Sequence, residues 1–357
     1  MKWYVAKRVA WSAVASLIIL TIAFVLLDAV PNQSLQTVEF QAQQQGQSGE
    51  EAVEAARERL GIDGPLHERY IDFLINFAQF DWGWSNEYQQ PVTETIIESL
   101  PYSMMYGVPS IIVSTVLGMA IGLYSAINQY TKTDYAATLF AFFGVSIPNW
   151  WFGIILLVLF GVGLGWLPIE FNERLAQNAN GSLTLRETVD SANHPAFIGD
   201  SDVTGEQQVG VFTVRNLKQL VLPTFVSMTA GIAAMMRYAR AEALEYVDAE
   251  FVKTAKSKGV SNWRIVARHI LRPAAVPLST ILVGRFLGLF LTGSYLIEVV
   301  FGIPGLGVAS FTAIENTDQD LVLATVLIPT FIVLVGNLMQ DIAYVVLDPR
   351  ISYGDRT

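Results

Sequence analysis

Two stretches of this chain, Pro101 to Ile127 and Tyr135 to Phe160, contain not one formal charge. A helix of that length in water needs a polar face, whereas about 20 consecutive apolar residues match the roughly 30 Å hydrocarbon core of a bilayer. Four further apolar segments lie near Val9 to Leu27, Leu220 to Met236, Val276 to Val300 and Leu321 to Leu347. Together they predict an all-α polytopic membrane protein with six transmembrane helices. Only 15% of the 357 residues are charged, against about a quarter in a soluble chain. The first segment follows Lys2, Lys7 and Arg8 as a signal peptide would, but its apolar run is too long and no small-x-small site follows, so it reads as a retained helix.

Lys and Arg placement sets the orientation. With the N-terminus inside, the cytoplasmic segments hold Lys2, Lys7, Arg8, Lys132, eight residues between Arg237 and Arg272, Arg350 and Arg356, which is fourteen of the 22 basic residues. Seven others are spread over two long outer loops, and Arg285 falls within the fifth span. Both termini are thereby expected in the cytoplasm of a multi-pass plasma-membrane protein. The outer loops carry 22 Asp and Glu; a solvated boundary explains them, and so does life in high salt. The net charge of −10 leaves no basic face for nucleic acid, and zero Cys removes disulfides, thiolate metal sites and a cysteine nucleophile.

The expected plan is an N-terminal helix over 1–30, an extracytoplasmic loop over 31–100, a core over 101–350 and a tail over 351–357. The core carries an outer insertion at about 167–218 and a cytoplasmic loop at about 237–275. Gln41 to Ser48 reads as a Gln-rich linker, Glu50 to Leu60 as a surface helix ending at Gly61, and Asn178 to Gln208 as irregular chain. Asn32 and Asn180 begin glycosylation acceptor triplets.

The loop between spans four and five is the most informative part. Phe251, Val252 and Ala255 recur at i, i+1 and i+4, placing an apolar strip on a short helix whose other faces carry Lys253, Lys256 and Lys258. Gly259 can adopt the left-handed conformation that stops a helix, and Ser261 can cap the next, from Asn262 to Arg272. The result is a helix, a sharp turn and a second helix. Such a hairpin suits either a basic interfacial helix on anionic lipid or a lever that docks into another protein.

This hairpin resembles the coupling loop, the EAA motif, of ABC importer permeases of the oligopeptide, dipeptide and nickel type. The residues that match are Glu250-Phe251, Thr254-Ala255-Lys256-Ser257-Lys258-Gly259 and His269-Ile270-Leu271-Arg272, while Lys253 stands in the frame of the general motif's leading Glu. The likeness extends along nearly the whole chain. It takes in Phe80-Asp81-Trp82-Gly83-Trp84-Ser85 with Pro91-Val92, Ser146-Ile147-Pro148 with Trp150 and Trp151, Gly293-Ser294 through Glu298, Phe301 to Gly307, and Asn337-Leu338 with Asp341, Tyr344 and Asp348-Pro349-Arg350. Two outer sites depart from the family: Pro31-Asn32-Gln33-Ser34 replaces Pro-Gly-Asp-Pro, and Asp318-Gln319-Asp320 replaces Asp-Tyr-Pro. The loop from Leu167 to Lys218 is also longer than the family's, with room for added receptor contacts.

The resemblance implies a type I ABC importer permease fold and a chain with no cofactor of its own, since ATP is bound and hydrolysed by a partner. No Gly-x-x-x-x-Gly-Lys-Ser/Thr occurs here. The implied partners are a second homologous permease subunit, ABC ATPase subunits, an extracytoplasmic substrate-binding protein and membrane lipid. Coupling would fall to Glu250, Phe251, Thr254, Ala255, Lys256, Lys258, Gly259 and Val260. Phe251 and Val260 would fill a groove in the ATPase, Lys256 and Lys258 would meet its acids, and Gly259 would hold the bend.

Candidate path residues are Arg285, Glu298 and Pro148. Arg285 serves either as a structural pair for a carboxylate or as an attractor for an acidic substrate group, Glu298 orients the outer loop, and Pro148 kinks span three. Phe301 to Gly307 reads as a compact outer turn or re-entrant piece, and Asp341 as a cap or ion-pair partner. His67, His194 and His269 are too scattered for a metal site, and Gly293-Ser294 has no His in a span to make it a protease. The alternative is a self-contained secondary transporter, which needs midplane carboxylate pairs and inverted repeats that the sequence does not display.

Overall fold

The computed structural model describes residues 2–30, 33–46, 48–59, 64–172, 184–188, 206–210, 214–274, 278, 281, 284 and 294–347. Arg285, Gly293, both glycosylation triplets' first residues (Asn32 and Asn180), Gly61 and Asp348-Pro349-Arg350 lie outside them. The chain divides into two compact units, one of Met1–Ser99 with Ala309–Thr357, the other of Leu100–Val308.

In the first unit α1 (Lys2–Ala29) runs beside the helix that ends the described chain, α13 (Gln319–Leu347). Arg8 and Asp341 meet at 3.2 Å, so the two helices are antiparallel and Asp341 is a pairing residue. Between them in sequence come α2 (Gln33–Gln44), α3 (Gly49–Arg59) and α4 (Leu66–Ala78). The expected Gln-rich linker is corrected here: α2 continues through Gln44, because Gln and Ala are good helix formers whatever their low complexity. The surface helix at 50–60 is present as α3.

A short hairpin follows, β1 (Trp84–Ser85) against β2 (Gln90–Pro91). Ser85 donates to Asp318 Oδ2 at 2.6 Å, Glu87 N–H donates to the same oxygen at 3.1 Å, and Leu321 N–H donates to Asp318 Oδ1 at 3.3 Å. Trp84 N–H reaches Asp320 Oδ2 at 3.3 Å. The acidic pair at the head of α13 thus fastens the hairpin, with Asp318 itself buried.

In the second unit α5 (Val92–Ile127) continues from the first and is followed by α6 (Lys132–Ser146) and α7 (Asn149–Leu156), which runs on as a π-helix over Leu157–Gly163. The α6 and α7 axes differ by 98°. Pro148 causes this break, since it keeps Ile147 extended (ψ 125°) and then starts α7. The expectation of irregular chain between Asn178 and Gln208 is corrected in part, because β3 (Thr184–Thr188) pairs antiparallel with β4 (Glu206–Gly210). Thr184, Thr188 and Val209 are β-branched residues that favour a strand.

Next come α8 (Val214–Val247), α9 (Glu250–Ser257) and α10 (Asn262–Ile265), the last extended by a π segment over Val266–Ile270 where one regular helix was expected. Then comes α11 (Tyr295–Phe301), and α12 (Leu306–Glu315) begins in this unit and passes into the first from Ala309. Small residues let α5 and α8 approach closely: a Cβ on Gly118 would stand 2.6 Å from Met235 Cβ, and one on Gly122 would stand 2.5 Å from the Met236 carbonyl oxygen. This is small-xxx-small packing, in which van der Waals contact replaces the hydrophobic effect that lipid cannot supply.

Four helical segments among the described residues, Val5–Ala29, Val92–Ile127, Leu217–Val247 and Gln319–Ile342, are long and apolar enough to cross a membrane. Two bent pairs, α6 with α7 and its extension, and α11 with α12, raise the number to as many as six. The molecule is a mostly helical, multi-pass membrane protein.

Candidate functional site

The α8–α9–α10 hairpin is seated on a core of its own. Val252 and Ala255 of α9 are buried against Leu123 and Ala126 at the end of α5, Ala243 of α8, and Ile265 and Ile270 beyond the turn. The apolar strip expected on α9 is therefore split. Val252 points inward and is wholly buried, whereas Phe251, one residue earlier and 100° round the helix, is 47% exposed. Thr254, Lys253, Lys256 and Lys258 share the open faces with it. Val260 turns back and packs against the same inner core.

The turn after α9 satisfies its own helix end. Gly259 has φ +73°, its N–H donates to the Lys256 carbonyl at 3.0 Å, and Val260 N–H donates to the Ala255 carbonyl at 3.2 Å. These are the two bonds of a Schellman motif, and Val260 packs against the apolar cluster that contains Ala255, as the motif's hydrophobic contact requires. Ser261 occupies the N-cap position of α10, but its side chain makes no capping hydrogen bond. At the other end Glu250 pairs with Lys253 at 2.8 Å in full exposure, which contributes little. The site is thus a rigid foot, Val252 and Ala255, carrying an outward face of one aromatic ring and three ammonium groups.

Sequence reasoning missed the group that ties together the helices behind this foot. Asp134 of α6 is buried and accepts hydrogen bonds from the Ser125 hydroxyl, from Tyr130 N–H at 3.0 Å and from Arg240 Nη2 at 3.2 Å, while Arg240 Nε also donates to Ser125 Oγ at 3.0 Å. One carboxylate so joins the end of α5, the α5–α6 turn and α8, one turn before Ala243. The available signal was Thr131-x-x-Asp134, a capping pattern, and Thr131 Oγ1 does accept from Asp134 N–H at 3.3 Å.

Of the other named residues, Glu298 sits fully buried in α11. Its Oε1 accepts from Ser103 Oγ at 2.7 Å and Tyr106 Oη at 3.0 Å, and its Oε2 from Val308 N–H at 2.9 Å. Ser103 in turn accepts from Leu306 N–H at 2.8 Å, and Tyr106 from Ser294 N–H at 2.9 Å. The turn at Gly302–Gly305 is closed by backbone bonds, Ile303 N–H to the Glu298 carbonyl at 2.8 Å among them, and this side chain fastens it to α5 and the start of α12. The structure does not bring Pro148 to Glu298 by any hydrogen bond or ion pair among the described residues, and Arg285 falls outside them.

Comparison with known proteins identifies the family. Residues 118–353 match the family of binding-protein-dependent transport system inner membrane components. The chain is 30% identical over 354 residues to the oligopeptide transport system permease protein AppB of Bacillus subtilis, covering 99% of this chain and 100% of that one. It is 30% identical to the oligopeptide transport system permease protein OppB of Haemophilus influenzae, over 82% of each chain. It is 28% identical to the di/tripeptide transport system permease protein DppB of Pseudomonas aeruginosa, over 98% of each. A helical multi-pass chain with a braced polar hairpin, matched end to end by such proteins, belongs to the family of inner-membrane permease components of binding-protein-dependent importers.

Proposed function

We propose that this permease subunit carries peptides across the plasma membrane in an ATP-driven importer, pairing with a second homologous permease, and that α9 is where partner ATPase subunits grip it. The observation that carries the reading is the contrast on α9 between the buried Val252 and Ala255 and the exposed Phe251 with Lys256 and Lys258. A helix bolted on one side and open on the other can transmit a push, because packed interfaces move as bodies rather than deform. The aromatic ring fits a groove on the ATPase and the ammonium groups its acidic rim. The clustering of fourteen of the 22 basic residues on the segments that include both termini and the α8–α10 hairpin supports a cytoplasmic location for all of them. Six spans follow if α6 and α7 form one bent span and the segment near Val276 to Val300 forms another.

Peptide cargo is supported by the names of the relatives, and the receptor outside the membrane would deliver it. The test is the reconstituted transporter with its receptor and ATPase. Phe251→Ala should leave the permease assembled in the membrane while receptor-stimulated ATP turnover and peptide uptake both fall at least about tenfold, the loss of one aromatic anchor that would seat in the ATPase groove. Unchanged turnover would refute the coupling role.

A further inference from the structure

Helix α4 divides into stripes. Tyr70, Phe73, Leu74 and Phe77, at i, i+3, i+4 and i+7, form the inner face. Phe73 stacks beside Phe24 of α1 at 5.6 Å between ring centroids, and Phe77 beside Phe331 of α13 at 5.0 Å. Tyr70 Oη and Thr21 Oγ1 share a hydrogen bond at 2.6 Å. Glu68, Asp72 and Asn76 make a polar stripe at i, i+4 and i+8. Asn76 also lines, with Asp81, Gly83 and Asp320, a polar-edged crevice of about 160 Å³. A third stripe, Ile71, Ile75 and Ala78, is apolar and exposed, with Ile71 at 51% and Ile75 at 46%.

The depth of α4 decides what covers that third stripe. Thr21 stands eight residues before the end of α1, and Phe331 twelve residues after the start of α13. At 1.5 Å per residue these contacts lie about 12 and 18 Å along the two helices from the ends that face each other near Val30 and Gln319. Both helices are apolar enough to span a bilayer. An extracytoplasmic loop helix resting on top of the membrane would touch only their last turn.

From this placement we propose that α4 is inserted into the leaflet that receives the C-terminal end of α1, with Ile71, Ile75 and Ala78 covered by phospholipid acyl chains. The neighbouring α1 also leaves an apolar side open, with Ile18, Ile22 and Val25 each about half exposed or more. Arg69 anchors the first turn of α4 at the boundary by its 2.5 Å pair with Asp28. Trp84, 49% exposed just beyond α4, supplies an amphipathic aromatic ring of the kind that settles at membrane interfaces. The polar stripe then faces the crevice and water, as an interfacial helix requires.

The chain has no cysteine, which makes the test clean. In the assembled transporter, with cysteine-free partner subunits and bilayers of phosphatidylethanolamine and phosphatidylglycerol, nitroxide labels are placed by Ile71→Cys and Ile75→Cys. Val25→Cys serves as the lipid reference and Glu68→Cys as the water reference. Labels at 71 and 75 should collide with oxygen severalfold more than with a water-soluble nickel chelate, as at 25, and the ratio should invert at 68. Collision with the chelate at 71 and 75 would place the stripe in water. Shielding from both reagents would place it under another protein helix. Either result overturns the proposal. The unmutated chain gives an independent reading: a phospholipid with a diazirine midway along its acyl chain should label the peptide over 66–79, and no label there would equally sink the insertion.

Discussion

Ser103 and Glu298, 195 residues apart, are joined by a 2.7 Å hydrogen bond in which the serine hydroxyl donates to a fully buried carboxylate. The same hydroxyl accepts from Leu306 N–H, so a single serine holds both the acid and the turn it organises. Removing it leaves a buried carboxylate oxygen and a buried amide each short of a partner, and such groups cost about 1 to 3 kcal/mol. Ser103→Ala and Glu298→Gln should each lower the melting temperature of the detergent-solubilised protein. Because they act on one network, their double mutant should be less destabilised than the sum, by about 0.5 to 3 kcal/mol. Strict additivity would mean that the bond stabilises nothing.

Gly259 is required for its backbone angle, not for space. Its φ is +73° and a Cβ there would meet nothing within 4 Å. Gly259→Ala should therefore cost only about 1 kcal/mol, and Gly259→Val somewhat more because a β-branched residue resists the left-handed region. The functional loss should be larger than the stability loss, since the Schellman turn sets the direction of α9. Folding is checked by gel filtration and melting, coupling by receptor-stimulated ATP turnover. Normal turnover in the valine variant would remove the turn from the mechanism.

Neighbours on α9 should separate into two kinds. Val252→Ala empties a site of zero exposure and should destabilise the permease by about 2 kcal/mol. Phe251→Ala, on an open face, should change permease stability by no more than about 0.5 kcal/mol, and its effect should surface in affinity for the ATPase, read by titrating solubilised permease with ATPase subunits.

How much of this was legible beforehand depends on the range of the interaction. The Gly259 stop, the Pro148 break and the turn after Phe301 rest on local backbone chemistry, and each is found where the residues themselves required it. The choice between Phe251 and Val252 was not local, since a spacing of i, i+1 and i+4 fits either as the inner residue; the ends of α5 and α8 make the choice. Asp318 was recognised only as a departure from a motif, because its partner Ser85 lies 233 residues away. The Gln-rich segment has the low complexity of a linker but the helix propensity of Gln and Ala, and propensity prevails.

The close approach of α5 and α8 gives a steric prediction. A methyl group at Gly122 would sit 2.5 Å from the Met236 carbonyl oxygen and 2.8 Å from Ala239 Cβ, neither of which can swing aside within a packed helix. Gly122→Ala should cost about 1 to 3 kcal/mol through forced separation of the helices, whereas the same change at Gly259 has open space around it. A melting curve of Gly122→Ala that overlays the parent would show that the helices part freely at this crossing.

Arg240 offers the sharpest test of how α9 is braced. Its guanidinium bridges Ser125 and Asp134, and the Asp134 side chain retains only 4% of its exposure against 31% for Arg240. Losing one member of a buried pair costs about 3 to 5 kcal/mol because the other charge is stranded, and the partial exposure of Arg240 puts the expected loss for Arg240→Met at the low end. Adding Asp134→Asn removes the stranded charge, so the double variant should be more stable than Arg240→Met alone and should recover assembly. If the brace transmits force from α9, that recovered assembly should still hydrolyse ATP with little peptide uptake per ATP, because α5 and α6 no longer move with α8. Full recovery of uptake per ATP would reduce the cluster to a purely structural bolt, whereas recovery of assembly alone would make Arg240 and Asp134 part of the path by which the hairpin moves the membrane helices.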